Sequence, residues 1–271
     1  MARRQFLRYL RAAVASERTR STSLHLSEAG LVVLAFFCYF LVRGGVIDRT
    51  GDALANARWI IDLQRSMGVF VEPAVNAWTL RAPWRIDLFN FIYFWLDFPL
   101  IAVIGVVLFW RSRHSYTLLR DALLTSGAFA LVCYWAFPVA PPRFLPEWGF
   151  VDTLQEFAAL SYQAQSLRPF VNPFAAVPSL HVGWSLLLTI VLFRSTRRAS
   201  VRLAGMAMLI LQSIAVIATA NHYLFDATLG VVVSLCGLVV AVWLQRAGYP
   251  RASAWLRLRL RAAERPRPVR A

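Results

Sequence analysis

Residues 222–245 read HYLFDATLGVVVSLCGLVVAVWLQ. No charged residue falls between Asp226 and Arg246. About 20 residues of helix cross the roughly 30 Å hydrocarbon layer of a bilayer, so this run is long enough to span one. Lipid offers the backbone no hydrogen-bond partner, so the run must be helical. His222 and Asp226 stand at its mouth, where ionisable side chains are costly. At the edge of a membrane span such groups mark a functional site by default.

Five further runs share this character, at about 29–47, 87–110, 118–137, 178–194 and 203–220. The expected fold is all-α, a polytopic membrane helix bundle of about six transmembrane helices. The chain has 271 residues, is 58% hydrophobic, and has a mean hydropathy of +0.54. Soluble domains are nearer half apolar and spread those residues with helical or strand period. Three parts are expected: a basic cytoplasmic segment at 1–28, a transmembrane domain at 29–245, and a basic cytoplasmic tail at 246–271. The first run reads as a retained span, because no convincing small-residue cleavage site follows it. The tail is expected to lie on anionic lipid before turning proline-rich and disordered.

The net charge is +15, and all 29 basic residues are arginine. In a soluble protein that balance would point to nucleic acid; in a membrane protein it reports orientation. With six spans, one side carries 21 arginines and four acids (Glu17, Glu28, Asp121, Glu264). The other carries eight arginines and ten acids. The arginine-rich side is expected in the cytoplasm. The segment VPSLH at 177–181 then joins HYLFD at 222–226 on the opposite face. Two long connections, about 48–86 and 138–177, share that face. The first reads equally well as an interfacial helix or as a folded loop on the bundle. The three cysteines, Cys38, Cys133 and Cys236, lie within apolar runs, and no CxxC or Cys/His cluster marks a zinc site.

The polar residues of this face form a reactive set. Pro178 suits the first position of a helix, whose free N–H groups make an anion site. Ser179 adds a hydroxyl, and His181 can give a proton. His222 and Asp226, four apart, share one face of a helical turn. A carboxylate beside an imidazole fixes its tautomer and raises its basicity, leaving the other nitrogen as nucleophile or base. Arg143, in AFPVAPPRF, and Arg168, in LRPFVNPF, are the candidates to neutralise a phosphoryl group. The prolines at 138, 141 and 142 favour Arg143. Asp97, inside the second span beside Pro99, is expected to pair within the bundle. Trp110, Trp135 and Tyr223 read as an interfacial aromatic belt.

VPSLH and HYLFD resemble the second and third signature segments of the type 2 phosphatidic acid phosphatase superfamily. NPFAAVPSLHVGW followed by NHYLFD is most similar to its inositol phosphorylceramide synthase branch. The resemblance covers roughly 133–230. It implies that His222 forms a phosphohistidine, that Asp226 orients it, that His181 protonates the departing alcohol, and that Ser179 with nearby N–H groups binds phosphate oxygens. It implies no metal and no cofactor. The chain departs from the family pattern in three places. No lysine is present for the first signature, Leu180 replaces the usual glycine, and Val216 stands where an arginine normally precedes the nucleophile by six residues.

The expected function is thus a lipid phosphatase or phospho-head-group transferase in a bacterial cytoplasmic membrane, with its site facing outside. Its partners are a lipid phosphate or phospholipid substrate and the membrane, with no nucleic acid. Three other readings stand beside it. His181, His222 and Asp226 match a donor set for iron or zinc. Ser179 would be the nucleophile of a hydrolase, although no GxSxG elbow occurs. A transporter or scaffold would need none of this chemistry.

Overall fold

The structure, a computed structural model, describes residues 26–156 and 172–255. It is all-helical, with an isolated parallel bridge between Val139 and Ala175. The chain divides into two compact units, Met1–Gly44 and Gly45–Ala271. The described part of the first is most of helix α1, Leu26–Val46, a 21-residue apolar helix.

The second unit runs α2 (Thr50–Ser66), α3 (Glu72–Leu80), α4 (Pro83–Trp95), α5 (Phe98–Arg111), α6 (Arg113–Ala136), α7 (Thr153–Glu156), α8 (Leu180–Ser195), α9 (Ala199–Ala218) and α10 (Leu224–Trp243). Helices α1, α6, α9 and α10 are long and apolar enough to cross a membrane. The pair α4 and α5, bent by 42°, makes a fifth candidate. α8 has 16 residues, about 24 Å at 1.5 Å per residue. The six apolar runs of the sequence are thus helical, and the fold is a polytopic membrane bundle.

Two expected boundaries move. The second run is broken: α4 ends at Trp95 and α5 begins at Phe98, with Asp97 at the bend. Pro99 in the first turn of α5 has no N–H to extend a helix backwards. The last run does not end at 245. After a π turn at Leu244–Gly248 it stays helical to Trp255. Tyr249 on this extension donates to Asp121 Oδ2 (2.8 Å) and accepts from Arg120 (3.0 Å), while Gln245 donates to the His114 carbonyl (2.8 Å). Residues 256–271 of the expected tail lie outside the described residues.

The core between α5, α6, α8, α9 and α10 contains Leu118, Leu119, Leu187, Leu188 and Met208, all buried. Helices α8 and α10 approach until little but glycine fits between them. A Cβ on Gly230 would overlap the Ser179 carbonyl, and one on Gly183 would come within 2.5 Å of the Gly230 carbonyl. Small residues replace hydrophobic attraction as the means of packing helices in lipid. Gly230, Ser234, Gly237 and Ala241 are the buried stripe of α10 that does this.

The connection at 48–86 is folded onto the bundle, and it is helical. It forms helices α2 and α3, and these pack on the bundle. α2 buries Ala53, Ala57, Ile60, Ile61 and Gln64. It also meets the proline-rich loop, where Ala140 N donates to Ala53 O (3.0 Å) and Asn56 to Pro138 O (2.9 Å).

Candidate active site

Three loops converge at one end of the bundle, and each is tied to the other two. Val139 N donates to Phe174 O (3.0 Å), joining the loop after α6 to the loop before α8. Tyr223 Oη donates to Ala140 O (3.2 Å) and Arg143 N to Ala220 O (2.9 Å), joining it to the turn between α9 and α10. Ser179 N donates to Asp226 O (3.0 Å), closing the ring. Tyr134 of α6 donates to Pro178 O (2.9 Å) and anchors the loop from below.

His222 lies in the turn before α10, and 5% of its surface is exposed. Its Nδ1 is 2.9 Å from the Ala176 carbonyl oxygen. A carbonyl can only accept, so Nδ1 carries the proton and Nε2 keeps its lone pair. Asp226 Oδ2 lies 3.4 Å from the same Nδ1 and also accepts from Tyr223 N (2.9 Å). Asp226 therefore braces the turn as well as the ring, and the closer contact belongs to a backbone carbonyl that no sequence motif advertises. Burial pushes the His222 imidazole down from its ordinary value to about 3; the Ala176 carbonyl opposes this, and the nearby Arg143 guanidinium adds to it. His222 is therefore uncharged at neutral pH.

His181, in the first turn of α8, faces His222 with ring centroids 5.5 Å apart. Tyr93 of α4 stacks on it at 4.3 Å, and Phe98 meets it edge-on at 5.6 Å. Ser179 is the residue preceding α8. Its hydroxyl is fully buried and makes no hydrogen bond. Pro178 is not at the first helical position: α8 starts two residues later, because the Pro178 carbonyl is held by Tyr134 and Ser179 N by Asp226 O.

Arg143 reaches the same turn. Its Nη1 donates to Asn221 Oδ1, next to His222, and its Nε lies 3.5 Å from Asp152 Oδ2. Asp152 is positioned by α3 and α4, whose Asn76 and Asn90 bond the backbone at Val151 and Thr153. The structure thus brings together His181, His222, Asp226, Ser179 and Arg143. Arg168 lies outside the described residues. Tyr223 departs from the belt expectation: it is fully buried, whereas Trp110 and Trp135 are well exposed.

Other contributors were not legible as site residues. Glu72 and Gln64 cap α10 from outside it: Glu72 Oε1 accepts from Leu224 N (2.7 Å), and Gln64 Oε1 from Phe225 N (2.8 Å). The Gln64 amide in turn donates to Glu72 Oε1 (2.5 Å). Free N–H groups at a helix start need such acceptors. The only trace of this in the sequence is a glutamine and a glutamate on the buried stripes of α2 and α3. Among the described residues, no group of three or more His, Cys, Asp or Glu side chains is arranged to hold a metal ion.

The assembled groups can hold a tetrahedral anion between an arginine and a hydroxyl, present it to an uncharged imidazole, and hand a proton to its leaving oxygen. No curated protein and no solved structure matches this chain. The model of one family, the PAP2 superfamily, does match it over residues 58–240, a stretch that holds every site residue named above. The chain belongs to the PAP2 superfamily.

Proposed function

We propose that the protein is an integral membrane phosphatase or phosphotransferase that acts on a lipid phosphate ester by double displacement. His222 Nε2 attacks phosphorus, so that a P–N bond forms as the P–O bond to the lipid alcohol breaks. His181 gives its proton to the departing oxygen. An acceptor hydroxyl then loses its proton to His181 and attacks phosphorus, the P–N bond breaks, and the lone pair returns to Nε2. Arg143, the Ser179 hydroxyl and the first N–H groups of α8 balance the phosphoryl charge. No metal is assigned a part in this reaction. Water as acceptor makes a phosphatase; a lipid alcohol makes a head-group transferase, as in the inositol phosphorylceramide synthase branch that NPFAAVPSLHVGW resembles.

The observation that supports this reading is the pair of imidazoles, one from the first turn of α8 and one from the turn before α10, with ring centroids 5.5 Å apart. The metal reading has less behind it, because Asp226 and His222 Nδ1 face each other and their shared neighbours rather than a common point. The test is a screen of the purified protein on phosphatidic acid and other lipid phosphates, with and without a lipid alcohol acceptor and with and without chelator. Phosphate release or transfer insensitive to chelator, and lost in both His222→Ala and His181→Ala, is the expected result. Activity abolished by chelator and restored by metal, or full activity in either variant, contradicts it.

A further inference from the structure

We propose that Asp97 is the positioning residue of His181, orienting its ring and stabilising its charged form. This rests on the reading of His181 as the acid that serves the leaving oxygen.

Asp97 stands at the bend between α4 and α5, within the apolar interior, and is fully buried. It precedes α5 but makes no side-chain cap to it, and neither carboxylate oxygen has a hydrogen-bond partner. Burying an ionised carboxylate without a partner is costly, so a structural account needs a compensating group. The cation-capable group against it is His181, whose Nε2 lies 3.6 Å from Asp97 Oδ2. That is an ion-pair distance slightly beyond a hydrogen bond. Such contacts tighten when substrate binds.

The surroundings leave the imidazole few other choices. Tyr93 stacks on it with planes 19° apart, and Phe98 closes on it at 79°. Tyr93 lies in the last turn of α4 and Phe98 begins α5, so the two rings and the carboxylate all come from around the same bend. The bend is thus a cradle for one histidine. With Nε2 turned to the carboxylate, Nδ1 is the nitrogen left for the leaving oxygen. When His181 takes the acceptor's proton in the second half of the reaction, the positive charge forms beside Asp97. Asp226 has the corresponding position at His222, so each imidazole has one carboxylate within 4 Å.

The experiment follows release of the first product in a single turnover, with the purified protein in bilayer discs and in excess, so that the second half of the reaction does not enter. It compares an alkyl lipid phosphate, whose alkoxide must be protonated to leave, with a nitrophenyl phosphate, whose anion leaves unaided. His181→Ala is expected to slow the alkyl ester by about 100- to 10,000-fold and the nitrophenyl ester little. Asp97→Asn is expected to slow the alkyl ester by about 10- to 100-fold in that single-turnover rate, with the half-saturating concentration and the nitrophenyl rate nearly unchanged. Asp97→Glu retains more activity than Asp97→Asn. If Asp97→Asn does not fold, Asp97→Ala assayed with and without formate takes its place, and formate should restore the alkyl rate. A selective loss in His181→Ala with an equal loss on both esters in the Asp97 variant, with no loss there, or without rescue by formate, overturns the proposal alone. An equal loss on both esters in His181→Ala overturns the acid role of His181, and the proposal with it.

Discussion

In the proposed reaction His222 is the attacking ring, and its surroundings suit that part. Its Nδ1 proton is held by a backbone carbonyl at 2.9 Å and a carboxylate at 3.4 Å. Because the carbonyl fixes the tautomer by itself, Asp226→Asn should lose less than His222→Ala. We expect a fall in kcat of about 10- to 100-fold, measured on the best substrate of the screen, against complete loss for His222→Ala. Burial also gives His222 a pH signature in stability. Its pKa falls from about 6.5 in the unfolded chain to about 3 in the fold. Between those values the unfolded chain binds a proton that the folded one does not, so stability is lost as pH drops through that window. Thermal melting followed from pH 7 to pH 4 should fall less steeply in His222→Gln than in the natural protein. An identical slope would show that the ring is not buried uncharged. That His222, His181, Ser179 and Asp226 would gather on one face was legible in the sequence, because polar groups rarely stand at the mouth of an apolar run by accident. The Ala176 carbonyl was not, because a backbone acceptor leaves no mark on residue type.

The helices divide in the same way between what sequence shows and what only packing shows. Apolar runs located α1, the pair α4 and α5, α6, α8, α9 and α10, since lipid leaves no other way to satisfy the backbone; the 17-residue α2 lies in a connection and follows no such run. The break at Asp97 was half visible: Pro99 beside it has no N–H to extend a helix backwards, but the partner across the bundle, His181, is 84 residues away in the chain. The remote cap on α10 from Gln64 and Glu72 was invisible for the same reason. Arg143 was chosen for the stiffness of its prolines, and it does reach the His222 turn, through Asn221 and the Ala220 carbonyl. The contact between α8 and α10 carries the sharpest consequence. Gly230 lies under the Ser179 carbonyl, so any added carbon pushes the loop before α8 off α10. Gly230→Ala should destabilise the protein by about 1–3 kcal/mol, the usual cost of overpacking, and should lower activity. Melting temperature and turnover together check this. Natural values of both would mean that the two helices do not meet as closely as described.

At the scale of the molecule, the second unit has two unlike ends: one gathers the histidines, Ser179 and Arg143, and the other ties Arg120, Asp121 and Tyr249 together. With six spans the sequence puts 21 of the 29 arginines on the side of Asp121. Charge asymmetry of this kind orients a bundle with its arginines in the cytoplasm, so the site is expected outside. A single cysteine at Gln155, in a chain whose three native cysteines are replaced, should react with an impermeant maleimide on intact cells. One at Arg197 should react only after permeabilisation, and the reverse pattern would invert the orientation. The central claim is chemical: one histidine becomes covalently phosphorylated while the other manages protons. The most direct measurement is rapid quenching of the enzyme with a lipid substrate labelled in phosphorus, followed by mapping of the labelled residue. The account predicts a label stable in alkali, lost in acid, located on His222 and absent from His222→Ala. Turnover at the natural rate with no label on His222, or with label on Ser179 instead, would contradict it.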